Sequence, residues 1–359
     1  MERKKYKLSD LLTIKNGRDY KHLEEGNIPV FGSGGYMLSR SSFLYDKPSI
    51  LLPRKGTLSN IQYYNKGKFW TVDTCFYSII NDELCDGYYL YRYLRNLDLS
   101  RYDTGASIPS MTQKTYNKIK VFLPSLPTQQ KISSILSSYD RLIENNTRRI
   151  RLLEQMAENL YKEWFVRFRF PEHENVEMVN GLPKGWKINS LKEICEFKRG
   201  RNITSAEMCD GIIQVISAGV APSGYHNKAN VHGVSVTMSS SGANAGYISI
   251  HYDDIWAADC SYISEKETED IYYVYELLNN IRQVINNFQI GAAQPHVYPK
   301  DINRIKTCVP PKELRIKANT NLSKIHKEIH KLYKQNQLLT RQRDLLLPRL
   351  MSGKLEVKS

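Results

Sequence analysis

Trp70-Thr-Val-Asp73 returns as Trp256-Ala-Ala-Asp259, 186 residues further along the chain. The same offset relates Gly105-Ala-Ser-Ile-Pro109 to Gly291-Ala-Ala-Gln-Pro295, Ile119-Lys120 to Ile305-Lys306, and Pro124 to Pro310. Looser matches flank these, Lys15-Asn-Gly-Arg18 with Arg199-Gly-Arg201 and Tyr88-Tyr-Leu-Tyr91 with Tyr272-Tyr-Val-Tyr275. A repeat of this length means two copies of a whole domain rather than a solenoid of short units. Two similar domains on one chain suit a partner that is itself repeated or two-fold, and DNA is the obvious candidate.

Each repeat has two parts. The first, 1–124 and again about 180–310, is rich in Tyr, Ile, Val and Ser with Gly and Pro between them. Ser49-Ile-Leu-Leu52 and Val234-Ser-Val-Thr237 read as short strands bounded by turn residues, while Tyr88–Leu97 and Ile271–Ile285 have helical spacing. Each copy is therefore expected to be an α+β domain with small, irregular sheets. The second part is a long helix. From Ile132 the apolar positions run Leu136, Tyr139, Ile143, Asn146, Ile150, Leu153, Ala157, Leu160 and Trp164, alternating steps of four and three as in a coiled coil. Adding 186 gives Ala318, Leu322, Ile325, Ile329, Leu332, Asn336, Leu339, Arg343, Leu346 and Leu350 in the same frame. Thr128 is the expected N-cap of the first helix, and each helix is expected to run on the order of 50 Å at ~1.5 Å per residue.

Asn146 and Asn336 interrupt the two apolar seams. Parallel pairing would leave them in different layers, whereas antiparallel pairing makes them meet and satisfy each other's amides. The fold expected is thus two similar α+β domains separated by two long helices in an antiparallel coiled coil. The boundaries are 1–124 for the first domain, 125–170 for the central helical spacer, and 171–187 for a polar linker rich in Pro and Gly. The second domain occupies 188–310 and the C-terminal helical spacer 311–359.

The net charge is +14 and is unevenly spread: +7 over 1–124, +3 over 125–170, −4 over 171–310 and +8 over 311–359. The basic total favours a nucleic-acid partner, but the acidic second domain would have to touch it through a focal patch. Six cysteines (75, 85, 195, 209, 260, 308) form no C-x-x-C pair or zinc spacing and read as reduced thiols. Met1-Glu-Arg-Lys-Lys5 has no apolar stretch behind it, and no apolar run approaches the ~20 residues of a membrane span. A cytoplasmic protein without membrane association is the expectation.

Motifs for catalysis are not found. Gly32-Ser-Gly-Gly35 lacks the Lys-Ser/Thr of a P-loop. No Asn/Asp-Pro-Pro-aromatic run stands where an amino-methyltransferase would need one, since Pro310-Pro311 is followed by Lys312. His326 and His330 share a helical face without a zincin carboxylate and read as solvated positions. Trp70 and Trp256, with Asp73 and Asp259, read as core anchors, because features common to both copies belong to the scaffold while specificity residues should diverge. The Gly-x-x-x-Pro segments are DNA loops or tight turns, the tight turn being favoured by the adjacent Ala and Pro.

Base reading needs side chains that reach groove edges, with backbone contacts setting the register. Basic residues beside Gly turns fit best, because such loops can approach a duplex. These are Arg18, Arg40, Arg54, Lys55, Arg101 and Lys114 in the first domain, and Lys198, Arg199, Arg201, Lys228 and Lys300 in the second. Ser239-Ser-Ser-Gly-Ala-Asn-Ala-Gly246 aligns with Arg54-Lys-Gly-Thr-Leu-Ser-Asn60, so Arg54 and Lys55 become serines, as two copies reading different sequences require. The coiled-coil candidates are Asn146, Asn336, Ile143, Leu153, Ile329 and Leu339.

Leu142-Ile-Glu-Asn-Asn-Thr-Arg-Arg-Ile150, leading into Leu160-Tyr-Lys-Glu-Trp-Phe-Val-Arg-Phe168, resembles the central region of specificity subunits of type I restriction–modification systems. Gly181-Leu-Pro-Lys-Gly-Trp186, the two Gly-x-x-x-Pro segments and Leu345-Leu-Leu-Pro-Arg-Leu-Met-Ser-Gly-Lys-Leu355 resemble that family too, and the domain–helix–domain–helix order covers essentially the whole chain. The resemblance implies two target recognition domains, each reading half of a split double-stranded DNA site. It also implies helices that set the gap and dock two methyltransferase subunits, with two motor-restriction subunits joining them. No catalysis and no cofactor are implied for this chain, since S-adenosylmethionine and ATP would be bound by partner subunits. The competing readings are the recognition part of a fused restriction enzyme and a non-catalytic RNA-binding or structural adaptor.

Overall fold

A computed structural model describes residues 2–105, 107–287 and 296–357. The chain divides into two compact units, Met1–Glu144 with Gln337–Ser359, and Asn145–Asn336. The division passes through both long helices, so each unit holds one α+β domain together with a part of each helix.

In the first unit a four-stranded antiparallel sheet has the order Leu12–Lys15, Cys75–Ile80, Ser49–Pro53, Gln62–Tyr64. A three-stranded sheet places Ile28–Gly32 between Gly35–Arg40 and Trp70–Thr71, the last pairing being parallel. Lys4–Lys7 pairs with Lys120–Leu123. The second unit repeats this arrangement. Its four-stranded order is Lys198–Arg199, Cys260–Ser264, Ser235–Ser239, Ile248–His251. Its three-stranded sheet sets Ile213–Ile216 between Gly224–His226 and a parallel Ile255–Ala257, and Lys187–Ser190 pairs with Lys306–Val309. The sequence repeat is therefore a repeat of topology, down to the one parallel pairing in each copy.

The local signals explain the elements. Ser49–Pro53 is buried along its whole length, which is why it reads as a continuous apolar run rather than an alternating one. The helix Gly87–Arg95 starts where the Asp86 side chain accepts the Tyr89 N–H, and its counterpart spans Ile271–Asn280, followed by a short turn of helix, Arg282–Asn286.

The first long helix spans Leu126–Tyr161 and continues into a π-helical turn, Lys162–Val166. The second spans Lys312–Ser352. Thr128 is not the cap: the helix begins two residues earlier, and Ser125, just outside it, has its hydroxyl 2.9 Å from Thr128 Oγ1. The π turn lets Trp164 and Phe165 turn into a cluster with Trp186 and Tyr273.

The pairing is antiparallel in both units. In the second, Ile150 and Ala157 share a core with Ala318, Leu322, Ile325, Ile329 and Leu332, with Leu153 and Leu160 packed against it. Asn146 Nδ2 donates to Gln335 Oε1 at 3.4 Å and Asn336 Nδ2 to Thr147 Oγ1 at 3.3 Å. Each asparagine thus reaches the sequence neighbour of the other. In the first unit Ile132 and Leu136 meet Leu350 and Met351, while Ile143 and Leu339 are half-buried.

Each domain is tied to a long helix by a polar anchor, and the carboxylate lies on the helix in the first unit and on the domain in the second. In the first, Asp140 of the long helix accepts hydrogen bonds from Tyr88, Arg92 and Arg343, the last at 2.8 Å. In the second, the residue 186 further on is His326, whose Nε2 lies 3.3 Å from Glu276 and Nδ1 2.9 Å from the Tyr252 hydroxyl. His326 is only 2 % exposed and stacks on Tyr272, and His330 stacks on Tyr252. The expectation of solvated histidines is corrected here: the helical face they share is the one that packs on the domain.

The seam residue Ile329, 1 % exposed, should cost about 2–5 kcal/mol when replaced by Ala, and Leu339→Ala distinctly less, as read by urea unfolding. Burial alone would raise the Asp140 carboxyl, but the bonds from Tyr88 and Arg343 and the charge of Arg92 outweigh it and hold it below its usual range. A carboxyl depressed on folding adds stability above its unfolded value, near ~3.9, and this is lost as pH falls through the folded value. Asp140→Asn should therefore cost on the order of ~2 kcal/mol at neutral pH, the gap to wild type closing as pH falls below about 4.

Candidate nucleic-acid interface

In the first domain the strand Leu12–Lys15 runs into Gly17-Arg18. A Cβ on Gly17 would lie 2.0 Å from the Val72 carbonyl oxygen, so only glycine permits the chain to pass so close. Arg18 is then held at both ends of its backbone: its N–H donates to Thr71 O at 2.8 Å, and its carbonyl accepts the Trp70 indole N–H at 2.9 Å. The side chain is left exposed. Next to it lies a groove of about 660 Å³ lined by Asp19, Tyr20, Lys21, Ser33, Gly34 and Asp73, among others.

The loop carrying Arg54 and Lys55 borders this groove. Arg54 N donates to Thr74 O at 2.9 Å and its guanidinium to Asp73 O at 3.4 Å, while Asn60 Nδ2 donates to Ser33 O at 2.6 Å. Met111 N donates to Arg54 O and Gly56 N to Pro109 O, fastening the loop to the end of Gly105–Pro109. Gly105 and Ser110 both donate to Asp103 Oδ1 at 2.8 Å, so in the first copy this segment closes a tight turn. Its second copy, Gly291–Pro295, lies outside the described residues, as does Ala106.

The same joints recur in the second domain. A Cβ on Gly200 would lie 2.3 Å from Ala258 O. Arg201 N donates to Ala257 O at 2.9 Å, and its carbonyl accepts the Trp256 indole N–H at 2.9 Å. Val297 N donates to Ser240 O at 3.0 Å, as Met111 does to Arg54. Isolated bridges join Lys55 to Ser110 and Ser241 to His296. The tryptophans thus hold the arginine loops, Trp70 buried and Trp256 half-buried. The two aspartates depart from the expectation of core anchors. Asp73 is exposed at the groove, and Asp259 accepts from Ser241 at 2.7 Å with Arg199 3.8 Å away. They follow the buried strand end but point into the loop, where a carboxylate stays hydrated.

The remaining candidates are dispersed. Lys114 is exposed on the short helix Gln113–Asn117, which the Gln113–Asn16 bond of 3.0 Å holds beside Gly17. Lys300 sits on the matching helix Pro299–Asn303, 5.6 Å from the Tyr298 ring centre. Arg40 is half-buried over Tyr20, Arg101 pairs with Asp98 at 3.0 Å, and Lys228 is exposed beyond Gly224–His226. Lys198 pairs with Glu267 at 3.1 Å, and that bond raises the ammonium's pKa. The sequence reading missed Lys21 and Ser33. The glycines of Gly32–Gly35 were the available signal, read only as a failed P-loop.

Among the described residues no group of three or more His, Cys, Asp or Glu is placed to hold a metal, and no helix is long and apolar enough to cross a membrane. Two copies of one α+β domain, each carrying an exposed, clamped arginine and joined to paired helices, define a duplicated recognition module. The family described as the type I restriction modification DNA specificity domain matches residues 2–155 and 183–344, one domain and its helix in each case. The chain belongs to this family and is a specificity subunit. It is 25 % identical over 354 residues to the MjaIX specificity subunit of Methanocaldococcus jannaschii, covering 88 % of this chain and 79 % of that protein. It is 23 % identical to the HindI specificity subunit of Haemophilus influenzae, covering 69 % and 72 %. The crystal structure of the type I restriction–modification S subunit from M. genitalium has the same fold, with a TM-score of 0.71 at 20 % identity over 97 % of this chain and 96 % of that one.

Gly17→Ala should destabilise the first unit by about 1–3 kcal/mol through the clash with Val72 O. Gly34→Ala, with open space around it, should stay within about 0.5 kcal/mol of wild type. Thermal unfolding distinguishes the two.

Proposed function

We propose that this subunit gives a type I restriction–modification complex its DNA specificity. Each domain reads one half of a bipartite double-stranded site, and the helices set the gap between the halves. The observation that carries this reading is the divergence of loop residues at matched positions of an unchanged frame. Positions joined by matching backbone bonds hold Arg54 and Lys55 in one copy and Ser240 and Ser241 in the other. Arg54 and Lys55 are exposed whereas Ser240 and Ser241 are buried, so a kept scaffold presents different groups to solvent in its two copies, as reading two different half-sites requires.

The helices are the docking surface for two methyltransferase subunits, which two motor-restriction subunits join. Leu152 and Met156 in the second unit, and Leu142, Leu338 and Leu345 in the first, leave large apolar side chains on the helices in solvent, and such surfaces favour protein partners. The chain itself is non-catalytic and works in the cytoplasm, with S-adenosylmethionine and ATP bound by its partners. Burial pushes the thiols of Cys75, Cys85 and Cys260 up to about 12, so these side chains are inert packing groups.

The test is adenine methylation across the genome of cells expressing this chain with its cognate methyltransferase subunit. A bipartite motif with a fixed gap is expected, and exchanging residues 1–124 for those of another specificity subunit should change one half only. Absence of any motif beside a demonstrably active methyltransferase would favour an adaptor that does not read DNA.

A further inference from the structure

Five of the eleven basic residues that border the two domains' loops are held by partners: Arg54 by Asp73, Arg101 by Asp98, Lys198 by Glu267, Arg199 by Asp259 and Arg40 by Ser39. Arg18 and Arg201 differ from these in two respects. They occupy the same place in both copies, each following a glycine that tolerates no Cβ and each with its backbone clamped between a strand carbonyl and a tryptophan indole. Among the described residues neither guanidinium forms a salt bridge, although the Glu207 carboxyl is lowered by hydrogen bonds from Thr204 and, in smaller part, by the charge of Arg201. The Arg201 guanidinium lies 6.0 Å from the Trp256 ring centre. A lysine accompanies each on a matched short helix, Lys114 and Lys300, 186 residues apart.

Three backbone groups and an indole are thus spent in each copy on fixing one exposed arginine. A rigid backbone beneath an exposed guanidinium suits a ligand group that is the same for both domains. The two half-sites of a split target differ in their bases and share only the sugar–phosphate backbone. The residues that differ between the copies, Arg54-Lys55 against Ser240-Ser241, suit the part of the ligand that differs.

We propose that Arg18 and Arg201 are phosphate-binding residues that set the register of each domain on its half-site, independent of sequence, and that in the first domain base choice falls to the exposed Arg54 and Lys55. This rests on the DNA-specificity reading above. A phosphate contact has a signature that a base contact lacks: its loss weakens all sequences alike and lowers the salt dependence of binding.

The experiment uses the full chain co-purified with its methyltransferase subunit. It measures affinity for the cognate bipartite duplex and for a random duplex across a salt series, with the methylated motif as a second readout. Preference of the wild-type complex for the bipartite duplex comes first, and if it is missing the DNA-specificity reading itself has failed. With that preference in hand, Arg18→Ala and Arg201→Ala should each lower the slope of log K against log salt by about 0.9. Both duplexes should weaken by the same factor and the motif should stay unchanged. Arg18→Lys, which keeps the charge, should restore the slope, which a purely structural role would not predict. Arg54→Ser with Lys55→Ser should instead alter base preference in one half of the motif. An unchanged salt slope in Arg18→Ala or Arg201→Ala, or a motif altered in one half by either, would overturn the proposal. Circular dichroism on each variant confirms that the fold is retained.

Discussion

Each unit is closed by helix segments that come from opposite parts of the chain. Asn146 meets Gln335 and Asp140 meets Arg343, pairs separated by 189 and 203 residues in sequence. Neither helix could hide its apolar seam alone, and a helix of this length gains most of its stability from packing rather than propensity. Antiparallel pairing satisfies both seams, and the asparagine layer selects among registers: a shift by one heptad would leave one amide against Ile329 or Leu153, at the cost of an unsatisfied polar group. The rest of each unit is arranged around this pairing. Strands Lys4–Lys7 and Lys187–Ser190, which open the domains, pair with Lys120–Leu123 and Lys306–Val309, which close them immediately before the helices.

The duplicated frame does not enforce duplicated interiors. In the first domain Phe31, Leu51, Phe69 and Cys75 form an apolar cluster with Tyr64 and Tyr77 against it. The matching strand of the second domain carries Thr237 and Ser239 in place of Leu51 and Pro53, and a polar cavity of about 200 Å³ lies there, lined by Gln214, Thr237, Ser249 and His251. Burial pushes the His251 imidazole down to about 4. A neutral ring accepting or donating at 2.8 Å to Thr237 Oγ1 can be enclosed without a counter-ion. Sheet order and backbone pairing carry the fold through this change, since they depend on strand length and register more than on which side chains fill the space.

Periodicity and repetition made the architecture legible. The 186-residue offset foretold matching sheets, the heptads foretold the helices, and the two asparagines foretold their direction. Single-residue environments were less legible. Asp73 and Asp259 sit one step beyond a buried strand, and sequence spacing cannot say on which side of that step the chain turns to solvent. His326 looked solvated because its helical neighbours are charged, yet the face it lies on is covered by residues about 50 and 74 positions away, Glu276 and Tyr252. Thr128 failed as a cap because the helix already begins at Leu126, two residues before it. The clamped arginines were legible as basic residues beside glycines. That their carbonyls accept indole hydrogen bonds was not, since it depends on a parallel strand pairing that only the three-dimensional arrangement supplies.

Similarity between two domains on one chain carries a hazard: each could dock on the helix segments meant for the other. The reversed anchors bear on this. In the first unit the domain presents Arg92 to Asp140, and in the second it presents Glu276 to His326. Exchanged docking would set Arg92 beside an imidazole and Glu276 beside a carboxylate, both in places where water is largely removed. A like charge facing a poorly solvated carboxylate is strongly disfavoured, and an arginine without an acceptor leaves a buried cation unpaired. The correct arrangement needs no exceptional stability from either pair. It needs only that the wrong one be worse, and moving the carboxylate from the helix (Asp140) to the domain (Glu276) provides that difference while leaving the shared backbone frame untouched.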